Sequence, residues 1–379
     1  MELKNFDISS NTGFLPETLL KKLPGDYFTK WEEAVHSLSQ WIIDKRVRKE
    51  IDALPVKEFS AATLSTKEEW QRAYVLLSFL SQAYLCEIDE GRAKELPKKL
   101  AVPWVETSTY IGVPPVATYA AVVLYNYTLK DPRQPFEADN LQAALTFTGS
   151  SEESWFYTVH VLEERAAAPG LEAITMAYNA MSHNDNQALA KNLKIIAETL
   201  HCMKNTLAKM YDRCSSKFFF NHLRPFLSFP DSGLVYNGVS PNVENFRSGS
   251  GAQDSAIPAF SIFLGVNHGD EEQITLDDFK VYMPAKHRAF LNSLCQQPSV
   301  SCYVQESGDA ELIKSYNETV GALVSFRSQH ISLVRSYIID VKQCQGDKTT
   351  EEDKGTGGTP FMSFLKNVKD NTVAQKINL

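Results

Sequence analysis

Apolar residues recur at helical spacing along most of the chain, and strict alternation of apolar and polar positions is almost absent. The clearest run extends from about Asp309 to Val341, contains no proline and has one glycine, Gly321. Four of its residues recur at every seventh position: Tyr316, Leu323, His330 and Tyr337. The pattern predicts an all-α fold with a long amphipathic helix that points the His330 imidazole toward buried surroundings.

Polar turns separate the predicted helices into two groups. The turn at Thr148-Gly149-Ser150 predicts a boundary between a small helical domain, residues 1–148, and a larger helical domain, residues 149–379. Within the larger domain, residues 228–255 are rich in Gly, Ser and Asn and are predicted to be irregular. The glycine-containing stretch at about 345–359 is predicted to be a flexible hinge, or a lid that closes over a ligand.

One helix of the larger domain carries a second histidine. Ser150 and Glu153 have the spacing of a capping box, so a helix is predicted to begin there. Phe156 and His160 lie one turn apart on this helix, which Pro169-Gly170 is predicted to end.

Composition and charge exclude several classes of protein. The 379 residues are 43% apolar and 22% charged, as in an ordinary globular protein, and the net charge is −8. An acidic chain argues against a nucleic-acid or anionic-membrane partner, and no apolar run has transmembrane length. The six cysteines form no Cys-x-x-Cys pair, which indicates reduced thiols in a cytoplasmic protein and excludes a zinc ribbon or a covalently attached c-type haem.

Three polar side chains in apolar surroundings are candidates for chemistry. His330 is either a core histidine bonded to a backbone carbonyl or a metal or haem ligand. Arg224 follows Phe218-Phe219-Phe220 and needs an anion, which is either an internal carboxylate or that of a ligand. His160 alone is typical of a core histidine. Together, the three would fit a pocket for an aromatic, anionic small molecule.

Other motifs are weaker. His183-Asn184-Asp185 has the His-x-Asp spacing of non-haem iron sites, but it precedes a predicted helix, where Asp185 more simply serves as an N-terminal charge. No His-Glu-x-x-His, phosphate-binding loop or Gly-x-Ser-x-Gly motif occurs.

The chain resembles the indoleamine 2,3-dioxygenase family, haem enzymes that open the indole ring of tryptophan. The similarity lies in short segments that follow one another in order from about residue 96 to 365. They are Leu96-Pro-Lys-Lys-Leu-Ala-Val-Pro103, Gly112-Val-Pro-Pro115 with Tyr119, Phe219-Phe220 through Leu223-Arg224, Asp231-Ser-Gly-Leu-Val-Tyr236, Ser248-Gly-Ser-Gly-Ala-Gln253, Tyr282-Met-Pro-Ala-Lys-His-Arg288, Gly308-Asp309-Ala310, Ser325-Phe-Arg-Ser-Gln-His330 and Lys354-Gly-Thr-Gly-Gly-Thr359.

The resemblance implies two helical domains, a b-type haem and a role for each matched residue. His330 would be the proximal ligand of the haem iron, Gly249, Ser250 and Arg327 would lie against the haem, and Arg224 would bind the substrate carboxylate. The other implied substrate contacts are Tyr119, Phe156, Phe219, Phe220, Ser250, Gly251 and Thr359, the last from the lid.

The implied reaction inserts both atoms of O2 across the indole C2–C3 bond of L-tryptophan, or of a related indoleamine, and gives N-formylkynurenine, a step of tryptophan catabolism. The family also includes oxygen carriers, so a haem protein that binds O2 or senses a ligand without turnover is the alternative.

Two positions depart from the family pattern. His160 stands where animal members have a serine; it would bond the indole N–H, bond O2 as in a globin, or narrow the pocket. Ser261 stands where the family has an aspartate that bonds the arginine near the proximal histidine, here Arg327.

Overall fold

The computed structural model describes residues 1–56, 58–87, 91–346 and 360–378, and α-helices dominate it, as the periodicity predicts. The first of them, in chain order, are α1 (Thr29–Ile43), α2 (Val47–Ala53), α3 (Lys67–Leu85) and α4 (Lys98–Ile111). The α3 helix begins with a capping box between Thr66 and Glu69 and is buried on nearly all sides. Both α1 and α4 pack against it.

A hairpin of two long helices forms the centre of the remaining chain. These helices are α5 (Ser151–Ser182) and α6 (Asn186–Ala208), and α13 (Ala310–Val334) packs along α6. The other helices are α7 (Met210–Arg213), α8 (Ser216–Phe218), α9 (Ala256–Phe263), α10 (Gly269–Lys280), α11 (Ala285–Leu294), α12 (Val300–Ser307), α14 (Asp340–Cys344) and α15 (Phe361–Val373).

The α5 helix does not end at Pro169-Gly170, so that prediction is wrong. Proline removes one backbone hydrogen bond from the helix interior, but tertiary packing keeps the helix continuous. At Gly170, an added Cβ would lie 2.8 Å from Phe260 and 2.8 Å from Thr199. The glycine therefore lets α6 and α9 approach α5 closely, and the burial gained there outweighs the local helix-breaking tendency.

The N-terminus of α5 differs slightly from a capping box. The Ser150 hydroxyl accepts from the Glu152 amide at 3.1 Å. The Glu153 carboxylate accepts from the backbone amides of Phe147 and Thr148 at 2.8 and 2.7 Å, instead of from Ser150. The predicted start of the helix is nevertheless confirmed.

Short strands and single turns connect the helices. The β1 strand (Glu95–Leu96) pairs in parallel with β4 (Leu234–Tyr236), which pairs antiparallel with β5 (Val243–Glu244). The β2 strand (Tyr127–Leu129) and β3 (Leu141–Ala143) form an antiparallel hairpin.

In the part of the chain that the structure describes, three π-helical turns occur, at Ala120–Leu124, Phe219–Leu223 and Arg335–Ile339. Such turns are frequent at functional sites, and the first two border residues predicted to contact substrate.

All six cysteines are unpaired. Among the helices of the described ranges, none is both long enough and apolar enough to cross a membrane.

Candidate functional site

Two histidines on different helices lie close enough to influence each other's charge. His160 is on α5 and His330 is on α13, and both are half-buried. Burial, with smaller contributions from His160 and Arg327, lowers the pKa of His330 to about 4. Burial also lowers the pKa of His160 below 6.5, although a hydrogen bond to Phe156 opposes the shift. Both imidazoles are therefore neutral at pH 7.

The hydrogen bond of His160 fixes its tautomer. Its Nδ1 lies 2.8 Å from the carbonyl oxygen of Phe156, one turn earlier on α5. Because a carbonyl oxygen only accepts, the single proton of the neutral ring is on Nδ1. The other nitrogen, Nε2, is left with a free lone pair and can accept a hydrogen bond.

The His330 imidazole has no hydrogen-bond partner in the described part of the chain. A neutral imidazole with an available nitrogen, held on a rigid helix, is a suitable donor for a haem iron. The interpretation of His330 as a core histidine bonded to a carbonyl is therefore not supported. A b-type haem fits this donor because it needs only one protein ligand.

Aromatic rings extend from His160 in two directions. The Phe156 ring centroid lies 4.8 Å from that of His160 and 5.0 Å from that of Phe219, and Phe219 lies 5.8 Å from Tyr337. On the other side, the Tyr119 ring lies 6.1 Å from His160. The predicted contacts Tyr119, Phe156 and Phe219 thus form one continuous aromatic surface around His160.

Arg224 and Phe220 lie on the segment that contributes Phe219. The guanidinium carbon of Arg224 is 5.3 Å from the centroid of Phe220, within cation–π range, and both side chains are half-buried. Phe219 and Phe220 are in the π-helical turn Phe219–Leu223, and Arg224 begins the 3-10 turn Arg224–Leu227.

The Ser248–Gln253 loop is attached to the aromatic surface by one buried amide. The Gln253 side chain accepts from the Tyr119 amide at 2.9 Å and donates to the Ser248 carbonyl at 2.8 Å. At Gly249, an added Cβ would lie 2.5 Å from the Ala117 carbonyl oxygen, so a larger residue would displace this loop. No such obstacle lies within 4 Å of Gly251 in the described chain.

Arg327 is buried, and no carboxylate of the described residues forms an ion pair with it. It donates to the Val368 carbonyl at 2.7 Å, to the Thr372 hydroxyl, and to Ser261 Oγ at 2.5 Å. Ser261 is therefore a hydrogen-bond partner of Arg327, although it supplies no charge. Burial lowers the pKa of Arg327 to about 9.

A cluster of carboxylates next to Tyr119 is absent from the sequence-based prediction. Glu163 and Glu164 are buried on α5, three and four residues after His160. Burial and the nearby Asp254 raise the pKa of both carboxyls well above their usual range. The pKa of the Tyr119 phenol is also raised, first by burial and then by the nearby Glu164 carboxylate. The helical spacing from His160 was the available signal, but its meaning depended on Asp254, which is distant in sequence.

The remaining predicted residues are not part of this group. Asp185 accepts from the Ala188 amide at 2.9 Å and so caps α6, while His183 bonds the Asn179 carbonyl. No group of three or more His, Cys, Asp or Glu side chains suited to a metal ion occurs within the described ranges. Thr359 and the predicted lid from residue 347 onward lie outside those ranges.

The geometry defines a helical protein in which two neutral histidines on different helices, His330 on α13 and His160 on α5, lie close together, and aromatic rings from several segments surround His160. Comparison with known proteins gives the family. The indoleamine 2,3-dioxygenase profile matches residues 2–375, so the chain belongs to the indoleamine 2,3-dioxygenase family.

Named relatives span nearly the whole chain. It is 34% identical to human indoleamine 2,3-dioxygenase 2, over 98% of this chain and 95% of the relative. It is 33% identical to a 6-hydroxytryptophan 2,3-dioxygenase of Fusarium equiseti, over 98% and 97%. It is 32% identical to indoleamine 2,3-dioxygenase of Saccharomyces cerevisiae, over 98% and 93%.

Proposed function

We propose that this chain is a cytoplasmic haem dioxygenase that cleaves the indole C2–C3 bond of L-tryptophan, or of a related indoleamine, to give N-formylkynurenine. Membership of the indoleamine 2,3-dioxygenase family supports the reaction class. The observation that carries the proposal is the tautomer of His160, which presents an acceptor beside an aromatic surface.

The cofactor we propose is b-type haem, with His330 as its protein ligand. Gly249 and Ser250 would lie against it, and the charge of Arg327, which no carboxylate of the described chain neutralises, would favour a carboxylate of the haem. When bound, the haem iron supplies the site where O2 is held and activated. The protein then has to place the indole and exclude water.

His160 is proposed to orient the indole ring. Its Nε2 lone pair suits acceptance of a hydrogen bond from the indole N–H. The same lone pair does not suit an oxygen carrier, in which a distal histidine donates a hydrogen bond to the bound gas. This tautomer therefore favours substrate binding over the carrier alternative. We assign His160 an orienting role and no obligatory transfer of a proton.

The aromatic surface is proposed to hold the two ends of the substrate differently. Tyr119, Phe156 and Phe219 provide apolar contact for the indole, since their rings are arranged continuously around His160. Arg224, beside Phe220, provides a permanent positive charge for the carboxylate. Ser250 and Gly251 would border the pocket, and Thr359 is the proposed contact from the lid.

An aerobic assay of the reduced, haem-loaded protein with L-tryptophan tests the proposal. The expected result is consumption of one O2 per N-formylkynurenine formed, with no net use of reductant. Binding of O2 without product from L-tryptophan or substituted indoleamines would contradict the proposal and favour the carrier.

A further inference from the structure

Arg224 lies on a segment that has little regular structure of its own. The π-helical turn Phe219–Leu223 and the 3-10 turn Arg224–Leu227 follow each other directly, so the last carbonyl groups have no continuing helix to pair with. The position of Arg224 must then depend on contacts from elsewhere in the chain. Several of these contacts come from α3 and the residues that follow it.

An arginine distant in sequence binds the end of this segment. Arg92 donates to the carbonyl oxygen of Ser228 at 2.7 Å and to that of Pro225 at 3.0 Å. Its Nη1 also lies 3.2 Å from Cys86 Sγ. The forked guanidinium thus binds the C-terminal carbonyls of the turn that begins at Arg224, where a positive charge is favoured.

The α3 helix reinforces the same attachment. Gln82 donates to the Ser228 carbonyl at 2.8 Å and to Cys86 Sγ at 3.4 Å. The rings of Phe79, Phe147 and Phe226 stack in sequence, with centroid distances of 4.4 and 4.9 Å. The segment is therefore held by an aromatic stack on one side and by polar contacts at its end.

Arg92 is itself fixed in place. Its neighbour Ala93 donates to the Leu85 carbonyl at 3.1 Å, and the Val235 amide donates to the carbonyl of Lys94 at 3.0 Å. Arg48 donates to the Gly91 carbonyl at 2.5 Å. The backbone on both sides of Arg92 is thus held, and its exposed side chain spans two carbonyls over a sequence separation of more than 130 residues.

We propose that Arg92 is a positioning residue that sets the location of Arg224 and, through it, the affinity for the substrate carboxylate. The inference rests on the proposed function, because it assumes that Arg224 binds that carboxylate. Ser228 links the two arginines directly: its carbonyl accepts from Arg92, and its hydroxyl donates to the Arg224 carbonyl at 3.2 Å.

The test compares two ligands that differ only in the carboxylate, L-tryptophan and tryptamine. Binding to the ferric, haem-loaded protein is followed by calorimetry. Arg92→Met is expected to weaken L-tryptophan binding about 10-fold, because a small displacement of a positioned group has large effects. Tryptamine binding is expected to stay unchanged. Arg92→Lys should give an intermediate loss, since an ammonium cannot span both carbonyls, and Gln82→Met a smaller one.

Arg133→Met is the matched control. Arg133 is also exposed, and its side-chain contacts are with Asp131 in the same loop. This variant should bind both ligands like the unmodified protein. In an Arg224→Ala background, Arg92→Met should cause no further loss of L-tryptophan binding, because the two residues act through one contact.

The outcomes separate the two proposals. If Arg224→Ala weakens L-tryptophan binding but Arg92→Met does not, the positioning role is wrong and the proposed function stands. If Arg92→Met weakens both ligands equally, Arg92 is a general structural residue and the inference is overturned. If Arg224→Ala leaves L-tryptophan binding unchanged, the carboxylate site itself is wrong. Should Arg92→Met not fold, Arg92→Lys and Gln82→Met carry the same ligand comparison.

Discussion

The hydrogen bond proposed between His160 and the indole N–H can be tested by changing one atom of the ligand. In β-(3-benzothienyl)alanine, sulfur replaces the N–H while the ring keeps nearly the same shape. If Nε2 of His160 accepts from the indole, this ligand loses one buried hydrogen bond. A net value of about 1 kcal/mol for such a bond corresponds to a roughly five-fold weaker binding.

The His160→Ala variant provides the matching measurement. It should bind L-tryptophan about five-fold more weakly than the unmodified protein, and it should no longer distinguish L-tryptophan from the benzothienyl analogue. Comparing the ligands within each protein cancels the effect of the space left by the removed ring. The measurement is the dissociation constant of each ligand from the ferric, haem-loaded protein.

The pH dependence follows from the lowered pKa of His160. Protonation of Nε2 removes the acceptor, so affinity should fall only at pH values below the ordinary histidine pKa of 6.5. The hydrogen-bond assignment is refuted if exchange of N–H for sulfur weakens binding equally in both proteins. It is also refuted if His160→Ala mainly accelerates the loss of O2 from the reduced protein, since that would show donation to the gas.

Three further predictions concern the carboxylate site, the cofactor and the acidic cluster. Arg224→Ala should weaken L-tryptophan binding about 10- to 100-fold, as expected for a hydrogen bond to a charged group, with haem content unchanged; equal weakening of tryptamine would contradict the assignment. His330→Ala should lose haem during purification, measured by the ratio of haem to protein, whereas His183→Ala, which removes an exposed histidine bonded to its own helix, should retain it. Because the folded-state pKa of Glu164 is raised, its protonated form stabilises the fold, and this stability is lost as pH rises through that pKa. Glu164→Gln should therefore raise the melting temperature at alkaline pH by about 2–4 °C, with little change at acidic pH. The control Glu172→Gln, at an exposed position, should leave the melting temperature unchanged at both pH values. A lower melting temperature of Glu164→Gln at alkaline pH would refute the cause given for the raised pKa.

Local features of the sequence predicted much of the helical structure. The capping box at Thr66–Glu69 and the run after Asp309 depend on neighbours within one or two turns, and both are present. The prediction failed at Pro169-Gly170 because local helix-breaking tendency competes there with packing against Phe260 and Thr199. Those partners are 90 and 29 residues away from Gly170 in sequence, so no local pattern contains them.

The candidate site also has one part that local sequence predicted and another that only folding decided. The identity of His160, Arg224 and His330 as polar residues in apolar surroundings was evident from their neighbours. The proximity of His160 to His330 was not, because α5 and α13 are brought together through α6. Likewise, Ser261 was expected to leave Arg327 without its family partner. Only the packing of α9 and α15 shows that Ser261, Val368 and Thr372 all accept from it.

The sequence by itself determined the class of fold, the family to which the chain is similar, and the candidate residues for its chemistry. Those depend on residue types and short spacings, which the chain displays directly. Tertiary structure decided which nitrogen of His160 is free, how Arg327 is satisfied without a carboxylate, and that Arg92 reaches the segment of Arg224. Each of these is a hydrogen bond whose direction or partner is fixed by folding: the Phe156 carbonyl must lie beside Nδ1 of His160, and carbonyls over 130 residues away must come within reach of one guanidinium.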